Sequence, residues 1–576
     1  MRKRAAIELS MKTFVIAAIG IAVIVLGVIL LSRFLEITPK DKDVDLLTPG
    51  FENVIVIPEE ARAGSLVVIR FYSDNPDYLV RAEMIDNQEN KVEELRLYDS
   101  GSNADISSKD NIYGNVLNTK AYEPGVYSIN INVDSPEGTR TYRDAGEFQI
   151  YEENCISVIN YGDEIDKIDV VFISQGYEDM TEFRRDVLSY INQGLFSYSP
   201  FQEHKSRFNF YIVNQSSDLD CHTNCKGIKN MICCNNNKVV DIASQCPSDQ
   251  IIVLLKEDQY CGTASFYAKT CSYTMNNLNK QILVHEFGHS FGGLGDEYDY
   301  GESYPSLSLS KMLFPNCDTS GCSKWDGGCF EGCGWSDLYR STEENCIMYG
   351  YTDVFCPVCQ SHILGLLNNY REEGREEISE RLMPNIEKAY LLNLNQKDNL
   401  NLNNIYVAPG FAPDRKIVRK EDYNGKIISF DNRVLYEFSF EMPDVEFPMP
   451  GIDGENPKII LLDEINHSVV MPYFDNGKQV KIYKDNQEVL NIDVGYFSDM
   501  CGDNKCQSHE NNFECPQDCE LMMSDEYCGY YKDGICDVDC KDKDPDCRKT
   551  WPIIIISIIV VVLAVSVVFV IRKRRV

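Results

Sequence analysis

The stretch from Gln281 to Tyr298, QILVHEFGHSFGGLGDEY, constrains this chain more than any other. His285 and His289 are four residues apart, so on a helix they lie one above the other on the same face. Two imidazoles so placed can share one zinc ion, and Glu286 beside them can serve as general base toward a zinc-activated water. The chain has only seven histidines, which makes a chance pair in this register rare. A catalytic zinc needs a third protein ligand. If the helix ran on, Asp296 would stand about 16 Å along the axis from His285 and about 10 Å from His289. That is too far to share a metal, so the helix must stop, and Gly292, Gly293 and Gly295 permit the reversal. The turn brings back either Asp296, the first choice, or Glu297, the alternative, and the remaining acid would orient a ligand histidine from behind. The oxyanion needs a donor as well, for which Tyr349 and Tyr298 are candidates.

Around this stretch, 576 residues exceed one ordinary core. The net charge of −34 argues against a nucleic-acid partner, which needs basic patches. Each end carries a short basic tail, 1–12 and 572–576. Beside each tail lies an uncharged apolar run, 13–31 and 552–571, long enough to cross a bilayer as a helix. Positive charge on the cytoplasmic side would place both termini in the cytoplasm and the rest outside, on a cell membrane. The first run reads as an uncleaved anchor, because no small-residue cleavage site follows it. Cysteine usage agrees with export: of 23 cysteines, fifteen lie from Cys155 to Cys359 and eight from Cys501 to Cys547, as in disulfide frameworks.

Residues 46–152 show short apolar runs between turns, among them Val54–Ile57 and Leu66–Phe71, and read as a β-sandwich. Residues 380–498 return to such runs and read as a second sandwich-like domain. Residues 501–548 form two small cysteine-stapled stalk modules. Between the sandwiches, residues 155–376 order as strand, helix, strand, strand, helix, an α/β or α+β domain with the histidine helix packed on its sheet. The expected fold class is thus multidomain: an α/β (α+β) metallopeptidase domain, two flanking β-sandwich-like domains, a disulfide-rich stalk and a transmembrane helix at each end. The pair Cys356 and Cys359, with His362 three residues on, could be half a zinc site, but a disulfide is the plainer expectation. Spaced acids from Asp99 to Asp110, and again from Asp533 to Asp546, offer calcium ligands, with a solvated loop or a disulfide-tied stalk as the plainer alternatives.

The segment from His285 to Tyr298 resembles the active-site segment of the IgA-peptidase family of zinc metallopeptidases. Ile168 to Tyr177, Ser199-Pro-Phe201 and Arg207-Phe-Asn-Phe210 are similar to that family too, so the resemblance spans about Ile168 to Leu367. It implies a metzincin-like zinc site with His285, His289 and Asp296 as ligands, Glu286 as base, and Met348 in a methionine turn beneath the metal. Glycine at position 295, where the commoner metzincin pattern has a third histidine, leaves that ligand the least certain. The expectation is a membrane-anchored extracellular zinc endopeptidase acting on protein or peptide substrates. A surface adhesion protein with an inactive metal-stabilised core, and a zinc hydrolase of a non-peptide amide, are the alternatives.

Overall fold

The computed structural model describes residues 54–498, apart from 74–77, 102, 106, 136–137, 152–153, 273–276, 302–313, 373–380, 383–387, 415–422 and 450–457. The molecule is built mainly of strands, 44% against 17% helix, and this corrects the expected fold class. Helices are few because the flanking units are all sheet, and because the middle sheet gains strands from distant segments that read as loops. Among the described residues no helix is long and apolar enough to cross a membrane. The longest have 14 residues, short of the roughly 20 that a bilayer requires. The expected spans at 13–31 and 552–571, both tails, the stalk modules and their Asp533–Asp546 acids lie outside the described residues. The membrane anchoring and the cell-membrane location are therefore corrected to what the described chain shows. It carries six disulfides, which belong to an oxidising, extracellular setting.

The sheet in the middle has nine strands. Ile168–Gln175 lies parallel to Phe208–Ser216 on one side and to Gln250–Leu255 on the other. Its residues are apolar on both faces because both faces are covered, and seven of the eight are buried. Ala268–Cys271 continues the parallel order beside Gln250–Leu255. The chain then turns back, so Gly262–Ala264 pairs antiparallel with Ala268–Cys271. Helix α1, Met180–Gln193, is capped by the Asp179 carboxylate, which accepts from the Thr181 amide at 2.8 Å, and it ends at Gly194. Phe183, Val187 and Ile191, at helical spacing, face the core. A short helix α2, Asn236–Ala243, packs on the opposite face of the sheet. Helix α3, Asn277–Ser290, carries the two histidines, and α4, Pro357–Leu367, closes the unit.

The two outer β units are joined through one sheet. Leu66–Tyr72 of the first pairs with Leu400–Pro409 of the second at Leu66 and Val407. Leu66 and Val68 accordingly share a core with Tyr390, Leu392 and Val469. The outer units also grip the middle one. Arg62 of the first donates to Asp241 at 3.0 Å and to Ser244 at 3.0 Å, at the end of α2. Arg62 is buried, and burial pushes the Asp241 carboxyl up despite the Arg62 charge. Removing one partner of a buried pair leaves the other charged and dry, which costs about 3–5 kcal/mol. Arg62→Ala should therefore lower the unfolding midpoint in denaturant by an amount corresponding to that cost. A loss under 1 kcal/mol would show that this contact does not tie the units together.

Candidate metal centre

The side chains of α3 that matter are all buried. His285, Glu286 and His289 are each 0% exposed, as is Asp296 beyond the helix. The helix ends as the glycines allow: Gly293 takes φ +61, and its amide donates to the carbonyl of His289 at 3.0 Å. Any side chain at Gly295 would collide with the Phe314 ring, its Cβ coming within 2.3 Å. The chain reverses and carries Asp296 back over the two imidazoles. Asp296 Oδ1 stands 3.1 Å from His285 Nε2 and 3.3 Å from His289 Nε2, and the two Nε2 atoms are 3.0 Å apart.

The partners of the other ring nitrogens decide what this triangle is. His285 Nδ1 lies 2.8 Å from the carbonyl of Ile347, and His289 Nδ1 lies 2.7 Å from the carbonyl of Leu294. A carbonyl can only accept, so each Nδ1 carries a proton, and in the neutral form of each ring the Nε2 lone pair is turned inward. Burial lowers the His289 pKa and so favours its neutral form. Burial works to raise the Asp296 carboxyl, but the two imidazoles that face it hold it well below its usual range. Three acceptors thus meet at about 3 Å, and Asp296 Oδ1 has no hydrogen-bond donor. Such a set repels itself unless a cation sits among it. Four-coordinate zinc with bonds of about 2.0–2.1 Å places its ligands about 3.3 Å apart, so these residues fit the ion.

Glu286 lies next to the triangle. Both its oxygens are buried without a hydrogen-bond partner. Burial, then the charge of Asp296, raises its pKa well above the carboxylate range. Met348 is buried beneath the helix, its sulfur 2.7 Å from where a Cβ on Gly288 would be. Its carbonyl accepts from the Glu297 amide at 2.8 Å, so the two loops that frame the centre are tied together. Tyr298 is buried and donates to the carbonyl of Pro448 at 3.3 Å. Tyr349 lies apart, under the Arg340 guanidinium at 4.7 Å. Glu297 turns away from the triangle toward Cys356 and Cys359, and burial pushes it up to about 8.

Several neighbours were not read from the sequence. Tyr300 donates to Asp296 Oδ2 at 2.8 Å. Burial, and then the charges of Glu286 and Asp296, push the Tyr351 pKa up. Asn316 holds the reversing loop by pairing with both backbone groups of Gly295 at 2.8 Å. The largest departure is a strand from the last described unit, Val445–Pro448, which pairs antiparallel with Gly262–Ala264. It brings Phe447 onto His289, ring centroids 4.1 Å apart and nearly parallel. Glu446 beside it is held by Lys226 at 2.8 Å and by the buried Lys269 at 3.5 Å. This strand is why the centre is closed. A short Val-Glu-Phe-Pro run bounded by prolines gave no sign of such a role.

Of the other expected ligands, Asp99, Asp105 and Asp110 do come together. Their oxygens already accept backbone amides, as from Asn111 at 3.1 Å and Ser107 at 3.3 Å. Cys356 and Cys359 are free thiols, which corrects the expected disulfide. His362 points to the carbonyl of Gly292 at 3.0 Å and not to those sulfurs.

Residues 214–318 match the model of the IgA Peptidase M64 family. The match supports an IgA-peptidase-like family and a peptidase activity, and it includes the whole stretch from Gln281 to Tyr298. A protein of Archaeoglobus fulgidus described as uncharacterized is 54% identical over 50 residues, 8% of this chain and 24% of that protein's length. Among solved structures, the PmoD soluble domain from Methylocystis aligns at 14% identity over 16% of this chain and 78% of its own, with a TM-score of 0.12. Cwp6 from Clostridium difficile aligns at 9% identity over 44% and 41%, with a TM-score of 0.15. Scores this low carry nothing about the fold.

The packing beneath the helix is open to test. A methyl at position 288 would press on Met348 and on the Phe355 ring, 3.2 Å away. Overpacking of this kind costs about 1–3 kcal/mol. It would also shift the Ile347 carbonyl that orients His285, and loss of such an orienting contact weakens metal affinity by about 10–100-fold. Gly288→Ala should show both effects, read by thermal unfolding and by zinc competition with a chelator. Unchanged affinity would mean that the loop does not set the ligand's orientation.

Proposed function

We propose that this chain is a zinc-dependent peptidase whose centre is His285, His289 and Asp296 with Glu286 as general base. The observation that carries this is the triangle of three lone-pair donors beside a buried carboxylate that has no partner. The family match over residues 214–318 supports the peptidase class. Zinc bound there would supply Lewis acidity and a water of lowered pKa. Glu286 would take the proton from the attacking water on a carboxylate oxygen and pass it to the leaving amine. Its raised pKa suits a group that must hold that proton between the two steps. Tyr298 already donates to a peptide carbonyl, that of Pro448, which is the act required of an oxyanion donor. Glu297 and Tyr349 have no part in this centre, and Met348 supports it from below.

A substrate would be a protein or peptide in extended form. An extended peptide binds by adding to a sheet edge, and the edge beside Glu286 is Gly262–Ala264. A Cβ on Gly262 would come within 2.9 Å of the Glu286 carboxylate. In this structure the chain's own Val445–Pro448 holds that edge, so the strand must leave before a substrate enters. The closed centre also gives weight to a second reading, a metal-stabilised core without activity, and the two separate by experiment.

The full chain should bind zinc tightly and cleave members of a peptide library. Glu286→Ala should keep the metal and lose at least about 100-fold in activity, the usual scale for general acid–base catalysis. Asp296→Ala should lose metal from this centre and Glu297→Ala should keep it there. A wild type no more active than Glu286→Ala, with the strand in place or displaced, would overturn the peptidase reading.

The occluding strand has its own signature. Burial opposes the charge on Glu446, but Lys269 and Lys226 outweigh it and depress its pKa. A depressed carboxylate contributes stability above its unfolded pKa and loses it as pH falls through the folded value. Protection against hydrogen exchange at Val445–Phe447, after correction for the pH dependence of the intrinsic rate, should therefore fall as pH drops below the carboxylate range. Glu446→Gln should raise both exchange and peptide cleavage at neutral pH by several-fold. Faster exchange without any cleavage would favour the inactive core.

A further inference from the structure

Fifteen cysteines fall in the described chain. Twelve form disulfides, and Cys346, Cys356 and Cys359 remain as free, buried thiols. They meet at one point, together with Glu297. Cys346 Sγ is 3.8 Å from Cys359 Sγ. Glu297 Oε1 is 3.4 Å from Cys356 Sγ and 3.3 Å from Cys359 Sγ. All four donor atoms lie within 4.8 Å of one another, and all four residues are at most 1% exposed.

These separations are those of ligands around a small cation. Zinc–sulfur bonds of about 2.3 Å in a tetrahedron set the sulfurs about 3.8 Å apart, and a carboxylate oxygen at about 2.0–2.2 Å stands about 3.5 Å from each sulfur. Backbone amides are already aimed at the sulfurs. The Cys356 N–H donates to Cys346 Sγ at 3.2 Å and the Cys359 N–H donates to Cys356 Sγ at 3.4 Å. Amide donors stabilise thiolates in preference to thiols, and Cys356 is the N-cap of α4, where the helix dipole adds to that preference. Glu297 supplies an independent observation. Its Oε1 takes the Asn316 amide at 3.2 Å, while its Oε2 is buried with no hydrogen-bond partner.

We propose that Cys346, Cys356, Cys359 and Glu297 bind a second metal ion, a structural zinc distinct from the centre on α3. Three soft sulfurs and one oxygen in a closed tetrahedron suit zinc, and they leave no open position for a substrate. The ion ties three segments: the loop before Met348, the start of α4, and the reversal that follows α3. Glu297 and Asp296 are neighbours in the chain, so one peptide unit would carry a ligand for each of two ions. The site stands on its own donor set and does not depend on the peptidase reading.

The full chain, purified without chelator, should hold two zinc ions. Asp296→Ala should keep one of them, and cobalt substituted into that variant should show thiolate-to-metal charge-transfer absorption. Adding Cys359→Ser to Asp296→Ala should abolish that absorption and the remaining ion, and should lower the unfolding temperature. The wild type gives a second measurement that does not depend on the folding of the serine variant. Zinc-edge X-ray absorption should report both sulfur and nitrogen or oxygen neighbours, with sulfur near 2.3 Å as in other zinc–thiolate sites. A nitrogen and oxygen environment alone would overturn the proposal. So would peptide mapping that finds Cys356 and Cys359 joined as a disulfide, or a wild type whose entire metal content is lost with Asp296→Ala.

Discussion

The His289 ring donates from Nδ1 to the carbonyl of Leu294 at 2.7 Å, and the geometry of the centre follows from that contact. Leu294 lies four residues past the end of α3, so the hydrogen bond can form only where the helix has already stopped. The same bond assigns the proton to Nδ1 and turns the Nε2 lone pair inward. The stop that satisfies a helix end thereby also orients a ligand and returns Asp296 to it. The Ile347 carbonyl does the same for His285 from the opposite side. Each imidazole is held by a backbone carbonyl, which can only accept, and not by a side chain that could titrate.

Much of this was legible in the residues. The spacing of His285, Glu286 and His289 demanded one helix face, and the distance to Asp296 demanded a break, found at Gly293. The apolar runs Val54–Ile57 and Leu66–Phe71 were readable because β-branched residues in short runs carry their own signal. What could not be read was non-local. Nothing near Glu446 shows that two lysines far earlier in the chain will claim it, nor does Leu66 announce its pairing with Val407. Cys356 and Cys359 look like a disulfide by spacing alone; only the arrival of Cys346 and Glu297 from two other loops gives the sulfurs a different neighbourhood. The expected proportion of helix was too high for the same reason. Short segments such as Gly262–Ala264 and Val445–Pro448 become strands only because a partner edge exists for them.

The closed centre reflects a competition between two uses of one sheet edge. Leaving Gly262–Ala264 unpaired would expose backbone groups and the face of His289 to solvent, and an unguarded edge invites pairing with other chains. Filling it with Val445–Pro448 satisfies those groups. Phe447 covers the imidazole, and Glu446 neutralises Lys269, which is otherwise buried among the sheet's side chains. The cover is thus stabilised by the same low-exposure environment that raises the Glu286 pKa.

Chain order also sets a timetable. The residues of the α3 centre are complete once Asp296 has been made, whereas the strand that covers them comes from near the end of the described chain. At synthesis rates of about 5–20 residues per second, the covering strand emerges on the order of ten seconds after the ligands. Its unit must then pair with the first one through the sheet that joins Leu66 to Val407, a long-range closure of the kind that forms slowly. Between the two events His285, His289 and Asp296 are present and the covering strand is not, so during biogenesis the centre is open without the strand displacement that the finished molecule requires.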